Sequence, residues 1–139
     1  MTAISDLIPH RPPFLLVDRV VETTAEQGIT EKYLTINDPS LREGIFPDVL
    51  VVEALAQSCA CMVAAHQKLT AASHRGMLVQ ISDFKFHERA RAGETLRMVV
   101  RRGGSLGALH RFSVEAKVED RAIAAGQLTF VVEDPGKFA

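Results

Sequence analysis

Residues 46–66, FPDVLVVEALAQSCACMVAAH, read as one long helix with no wet side. Valine, leucine, alanine, cysteine and methionine recur all around the helical wheel, so the segment lacks the polar stripe of a surface helix. Such a helix must be enclosed by the rest of its chain or by a second chain. A bilayer is a poor enclosure. The apolar run from Val49 to Ala65 is slightly short of the ~20 residues that a span needs. It also carries Glu53, Gln57 and Ser58, each expensive in lipid. The expectation is the central helix of a soluble domain.

The cover must come from the flanks. Ile4 to Leu7 form a helical turn, closed by Pro9 and the Pro12-Pro13 pair. Phe14 to Val21 are apolar and β-branched, which predicts a strand. Gly28 to Ile36 (GITEKYLTI) alternate, with Ile29, Glu31, Tyr33 and Thr35 on one face and Thr30, Lys32, Leu34 and Ile36 on the other. Asn37-Asp38-Pro39-Ser40 is turn chemistry. The helix begins after Pro47 with Asp48 as candidate N-cap and runs to about Lys68; residues 71–76 are a connection. Strands follow at Met77–Phe86, Glu94–Arg102, Ala108–Glu119 and Arg121–Glu133, with Asp120 marking a tight hairpin.

An antiparallel sheet of about six strands, curled around the helix, buries one face against it. The expected class is α+β, a hotdog fold, with one domain over residues 1–139. The side of the helix left bare calls for a second copy, hence a dimer.

With 16 Lys and Arg against 17 Asp and Glu, the chain carries a net charge of −1. That leaves no basic field for nucleic acid and no patch for anionic lipid. The start MTAISDLIPHRPP has no charged opening followed by an apolar run, so no signal peptide is expected. Cys59 and Cys61 point about 200° apart on a helix and cannot pair with each other. Two unpaired thiols suit a reducing cytoplasm, and with no Cys-x-x-Cys or clustered histidine beside them no metal site is expected.

LIPHRPPFLLVDRVVE, residues 7–22, resembles the opening of the FabZ-type (3R)-hydroxyacyl-(acyl-carrier-protein) dehydratases, whose pattern is close to LPHRxPFLLVDRV. GIFP at 44–47, followed by VLVVEALAQ at 49–57, resembles that family's GHFPxxPxxPGVLxxEAxAQ. ISDFKFHERARAGETL at 81–96 resembles its strand leading into a Pro-Gly-Asp turn. The resemblance implies a hotdog dehydratase acting on acyl-carrier-protein or coenzyme A thioesters in fatty-acid or related acyl-chain synthesis. It implies no metal or organic cofactor, and a homodimer or a higher assembly such as a trimer of dimers.

The family's helical glutamate is catalytic, and Glu53 matches it. Apolar surroundings disfavour a charged carboxylate, which suits it to shuttling protons. Gln57, at i+4, lies on the same face and can hydrogen-bond Glu53. The alternative is that Glu53 completes a buried hydrogen-bond network. Phe46, Asp48, Val49, Val52, Ala56 and Phe86 are expected to line the acyl site, with His87 at its edge.

The chain departs from the pattern at the GHFP histidine, where it has Ile45, a residue with no donor, acceptor or titratable group. The loop between FP and VL shrinks to Asp48 alone, roughly six residues fewer, or ~20 Å of extended chain. Helix N-terminal amides are then the candidates for holding a thioester carbonyl. Other histidines do not obviously substitute. His66 is ~20 Å along the helix from Glu53, and His74 and His110 are expected in solvent. His10 belongs to the PHR signature and is expected to position the N-terminal segment. His87 remains, as a rearranged partner of Glu53 or an exposed strand end. Arg11, Arg89 and Arg91 either attract an acidic carrier protein or a phosphopantetheine phosphate, or are a solvated charged turn.

Two functions follow. One is a dehydratase, with thioester hydrolysis or isomerisation as lesser variants. The other is a noncatalytic acyl-thioester-binding subunit that completes a composite site in a heterodimer. The second arises because, in the family, the histidine and glutamate facing one substrate come from different protomers.

Overall fold

The computed structural model describes residues 3–66 and 75–133. In chain order it contains α1 (Ile4–Leu7), β1 (Arg19–Thr23), β2 (Gln27–Tyr33), β3 (Ile45–Phe46), α2 (Asp48–His66), β4 (Arg75–Phe86), β5 (Ala90–Arg91), β6 (Thr95–Leu106), β7 (Leu109–Val118) and β8 (Arg121–Glu133). Six strands form one sheet in the order β1-β2-β6-β7-β8-β4, and β3 and β5 form a separate two-stranded ladder. Every pairing in both sheets is antiparallel. The large sheet packs its inner face on α2, giving the hotdog architecture. The expected helix end at Lys68 and the connection carrying His74 lie outside the described residues.

Helix and sheet approach closely because small and apolar residues face each other. Val51, Ala54, Leu55, Cys59 and Met62 of α2 pack on an inner face that includes Leu96, Met98, Val100, Phe112 and Val114. Gly28 is part of that contact: a Cβ there would lie 3.0 Å from the Cβ of Met62. A pair of hydroxyls bridges the layers, with Thr30 and Ser58 2.7 Å apart and the Ser58 hydroxyl donating to the Ala54 carbonyl at 2.8 Å. Although α2 is long and apolar enough to cross a membrane, 61% of its most apolar window is buried in the fold.

The buried face of β2 carries Gly28, Thr30 and Lys32, and the strand ends at Tyr33, short of the expected Ile36, with buried Leu34 just beyond it. Lys32 is only 4% exposed. Its ammonium lies 2.9 Å from Asp38 Oδ2 and 5.9 Å from the Phe46 ring centroid. The Ser40 amide and hydroxyl both donate to Asp38 Oδ1. Burial alone would raise the Asp38 pKa, but the hydrogen bonds from Ser40 and Lys32 outweigh it and hold the carboxyl below its usual value. This cluster fixes the turn between β2 and β3.

Three local details differ from the sequence reading. The strand expected from Phe14 starts only at Arg19. Phe14 and Leu16 instead give their backbone groups to the Gln57 side chain, which ties them to α2 and not to a ladder. Asp48 is the first helical residue, and the Pro47 carbonyl accepts from the Leu50 and Val51 amides, so Pro47 holds the cap position. In the first turn the Asp48 carboxylate still complements the helix dipole. The ladder of β3 and β5 has two residues per strand, too few for any periodicity to register.

At the far end of the sheet, Gly126 makes room for an aromatic ring. A Cβ there would lie 2.2 Å from Phe84 Cδ2 and 2.5 Å from Cγ. Since the near side of the ring is involved, rotation alone does not relieve the clash. Gly126→Ala is expected to destabilise the fold by roughly 2 kcal/mol, measured by denaturant unfolding; unchanged stability would show that β4 can lift away freely.

Candidate active site

Glu53 occupies the second turn of α2, where the apolar wrapping opens. Its side chain is 43% exposed. The helix is therefore not dry on this side, contrary to what its composition implies. Glu53 faces a cleft of ≈ 530 Å³. One wall is Pro13, Phe14 and Leu16 of the N-terminal segment; another is Pro39, Ser40 and Arg42, after β2; Leu50 stands one turn before Glu53. The walls are mostly apolar, with Ser40 and Arg42 as the polar exceptions.

Gln57 organises this side of the helix. At 1% exposure it is fully enclosed, and its amide is shared among three partners. Its Oε1 accepts from the Leu16 amide at 2.7 Å, and its Nε2 donates to the Phe14 carbonyl at 2.8 Å and to Glu53 Oε1 at 3.1 Å. One side chain thus sets the cleft wall and aims the carboxylate.

The same clamp brings in His10. Its Nε2 lies 3.6 Å from Glu53 Oε1, with the ring 35% exposed. Its Nδ1 is shielded from solvent and has no hydrogen-bond partner among the described residues. Arg11 caps the same segment by donating to the Ile8 and His10 carbonyls. The peptide bond between Pro12 and Pro13 is cis. The sequence signal for this proximity was weak: PHRPPFLL reads as a positioning segment, and nothing in it reveals that Gln57 takes up its backbone.

The remaining predicted residues are spread over several surfaces. Phe46 is buried beneath Lys32. Ile45 is half-buried on β3, opposite Arg91 on β5. Val49 is 72% exposed, Val52 half-buried and Ala56 buried. Phe86 is exposed at the end of β4 and stacks on Phe84, and His87 is exposed just beyond it with its amide bonded to the Ile123 carbonyl. Arg89 and Arg91 lie exposed on the stretch between β4 and β6, on a different segment from Arg11. Of the predicted set, Glu53 and Gln57 are brought together at the cleft. Pro39, Ser40 and Arg42 line it without having been singled out, because a turn sequence does not disclose what it faces.

Two other groups complete the picture. His110, expected in solvent, is half-buried beside Arg102, and its pKa falls through burial and that neighbouring charge. Cys59 and Cys61 are buried free thiols; burial raises both, Cys61 to about 12, so neither is a nucleophile at neutral pH.

The hotdog fold thus places a helical glutamate at a mostly apolar cleft. Residues 2–138 match the ApeP-like family, described as ApeP dehydratase. The chain is 34% identical over 140 residues to the 3-hydroxyacyl-(acyl-carrier-protein) dehydratase FabZ of Rickettsia bellii, covering 96% of both chains. Identity to the FabZ of Chloroflexus aggregans is 38% over 143 residues, again covering 96% of both. The chain belongs to the ApeP-like dehydratase family. Among solved structures, the dehydratase heterocomplex ApeI:P from Xenorhabdus doucetiae superposes with a TM-score of 0.87 at 16% identity, covering 99% of this chain and 95% of that one. That likeness supports the fold.

Proposed function

We propose that the protein dehydrates 3-hydroxyacyl thioesters carried on acyl carrier protein or coenzyme A, with Glu53 as principal acid and base. The observation that carries this reading is the geometry of Glu53, held through one oxygen and facing a mostly apolar cleft of ≈ 530 Å³. In the forward reaction the carboxylate takes the proton beside the thioester carbonyl. The bond from carbon 3 to its hydroxyl breaks as the double bond forms. The departing oxygen takes a proton back from the Glu53 carboxyl and leaves as water, which restores the carboxylate, and the product is a 2-enoyl thioester. In this reading, amides of the first turn of α2, at Asp48 and Val49, hold the carbonyl oxygen. In this reading Val52, Ala56, Phe86 and His87 join the acyl site when a partner covers the exposed end of the helix, whereas Phe46, enclosed beneath Lys32, does not reach it. Arg11, Arg89 and Arg91 offer charge to an acidic carrier. The two buried thiols fit a reducing cytoplasm.

A second reading, a subunit of a composite heterodimeric site, draws support from two features. Position 45 carries isoleucine where the FabZ pattern has histidine. The edge strand β4 also exposes Met77, Val79 and Ile81. The solved ApeI:P structure, which shares the fold, is itself a dehydratase heterocomplex.

The test is incubation of the purified protein, alone and with a histidine-bearing hotdog chain, with short- and medium-chain 3-hydroxyacyl and 2-enoyl thioesters of coenzyme A and acyl carrier protein. Mass spectrometry should show loss or gain of one water. Full turnover by a strict homodimer would remove the composite reading. Saturable thioester binding without conversion in either form would overturn the dehydratase reading.

A further inference from the structure

His10 meets Glu53 within the same chain, independently of position 45. Glu53 Oε1 faces two nitrogens, Gln57 Nε2 at 3.1 Å and His10 Nε2 at 3.6 Å. No hydrogen bond or ion pair reaches Oε2 among the described residues. The carboxylate is therefore held by one oxygen, with the other left for chemistry. The His10 distance is just beyond hydrogen-bond reach, as is common before a ligand closes a site.

The ring's other nitrogen decides which proton it carries. Nδ1 is shielded and has no partner. A proton there would sit unpaired in the protein, while the bare lone pair of Nε2 would face a carboxylate oxygen and repel it. A proton on Nε2 removes both conflicts, since the carboxylate accepts it. The ring itself is fixed in place through its segment. Arg11 donates to the His10 carbonyl at 2.7 Å, and Gln57 grips Phe14 and Leu16 a few residues on.

We infer that His10 is a positioning residue for Glu53: as the Nε2–H tautomer it shares with Gln57 the task of holding Oε1, so that Oε2 alone exchanges protons with substrate. It does so within one chain that has no imidazole at position 45. The inference rests on Glu53 being the acid and base proposed above.

Two measurements test it. In long-range proton–nitrogen NMR of the intact protein, the His10 ring should show the Nε2–H tautomer; a ring protonated on Nδ1 alone overturns the inference whether or not the protein turns over. With the 3-hydroxyacyl thioester that the protein converts, His10→Val should lower kcat about 30- to 100-fold with KM within about threefold, since a small misplacement of the acid–base group costs that much. His10→Gln presents an amide N–H in the place of Nε2 and should recover to within about threefold of the parent. A glutamine variant as slow as the valine variant, or a valine variant as fast as the parent, overturns it. Absence of turnover in the unsubstituted protein, both alone and with a histidine-bearing hotdog chain, refutes the dehydratase reading instead, and leaves the tautomer to decide the contact.

Discussion

Glu53→Gln is expected to lower turnover of a 3-hydroxyacyl thioester by about a thousandfold or more, with little change in melting temperature. General acid–base groups contribute about 10²–10⁴-fold each, and Glu53 is the sole carboxylate lining its cleft among the described residues. Here the same group is asked both to accept the proton beside the carbonyl and to return one to the leaving hydroxyl. The upper part of that range therefore applies. The substitution keeps the shape of the side chain, and an amide oxygen can still accept from Gln57 and His10. The walls of the cleft and the packing of α2 are left alone. The measurement is kcat/KM beside a thermal melt. A variant within tenfold of the parent would take Glu53 out of the mechanism.

Gln57→Leu is expected to destabilise the protein by about 3 kcal/mol or more, and to reduce thioester binding as well. The leucine nearly matches glutamine in size, so the effect comes from lost polar partners and not from a cavity. The buried Leu16 amide loses its acceptor and the Phe14 carbonyl its donor. A buried polar group left unpaired costs about 1–3 kcal/mol. Glu53 loses one of its two holders at the same time. Denaturant unfolding measures the first effect and ligand titration the second. Unchanged stability would mean that the N-terminal segment finds other partners, and that Gln57 is not its anchor.

Much of this architecture could be read before any coordinates. The all-apolar helix demanded enclosure, and alternation placed the strands that enclose it; the last strand, Arg121–Glu133, coincides with the expected one. The failures have local causes. Phe14–Leu16 has the composition of a strand, but a side chain 41 residues away takes the place of a neighbouring ladder at Leu16. Lys32 falls on the inner face by alternation, yet only its pairing with Asp38 makes that burial tolerable. At the site, the family pattern pointed to Glu53 and Gln57. It gave His10 only the role of positioning the N-terminal segment, and gave no account of the wall after β2, because both reach the carboxylate through loop paths that carry no periodic signal.

The attachment of Phe14 and Leu16 has an evolutionary corollary. One wall of the cleft beside Glu53 hangs from a single amide on α2 and takes no part in the pairing that builds the six-stranded sheet. Side chains at Pro13 and Phe14 can be exchanged while the backbone bonds to Gln57 persist, whereas Leu16, buried in the core, is held in place by packing. If the proposed function holds, preference for one acyl group over another is thereby free to drift at those two positions, generation by generation, at small cost to the scaffold.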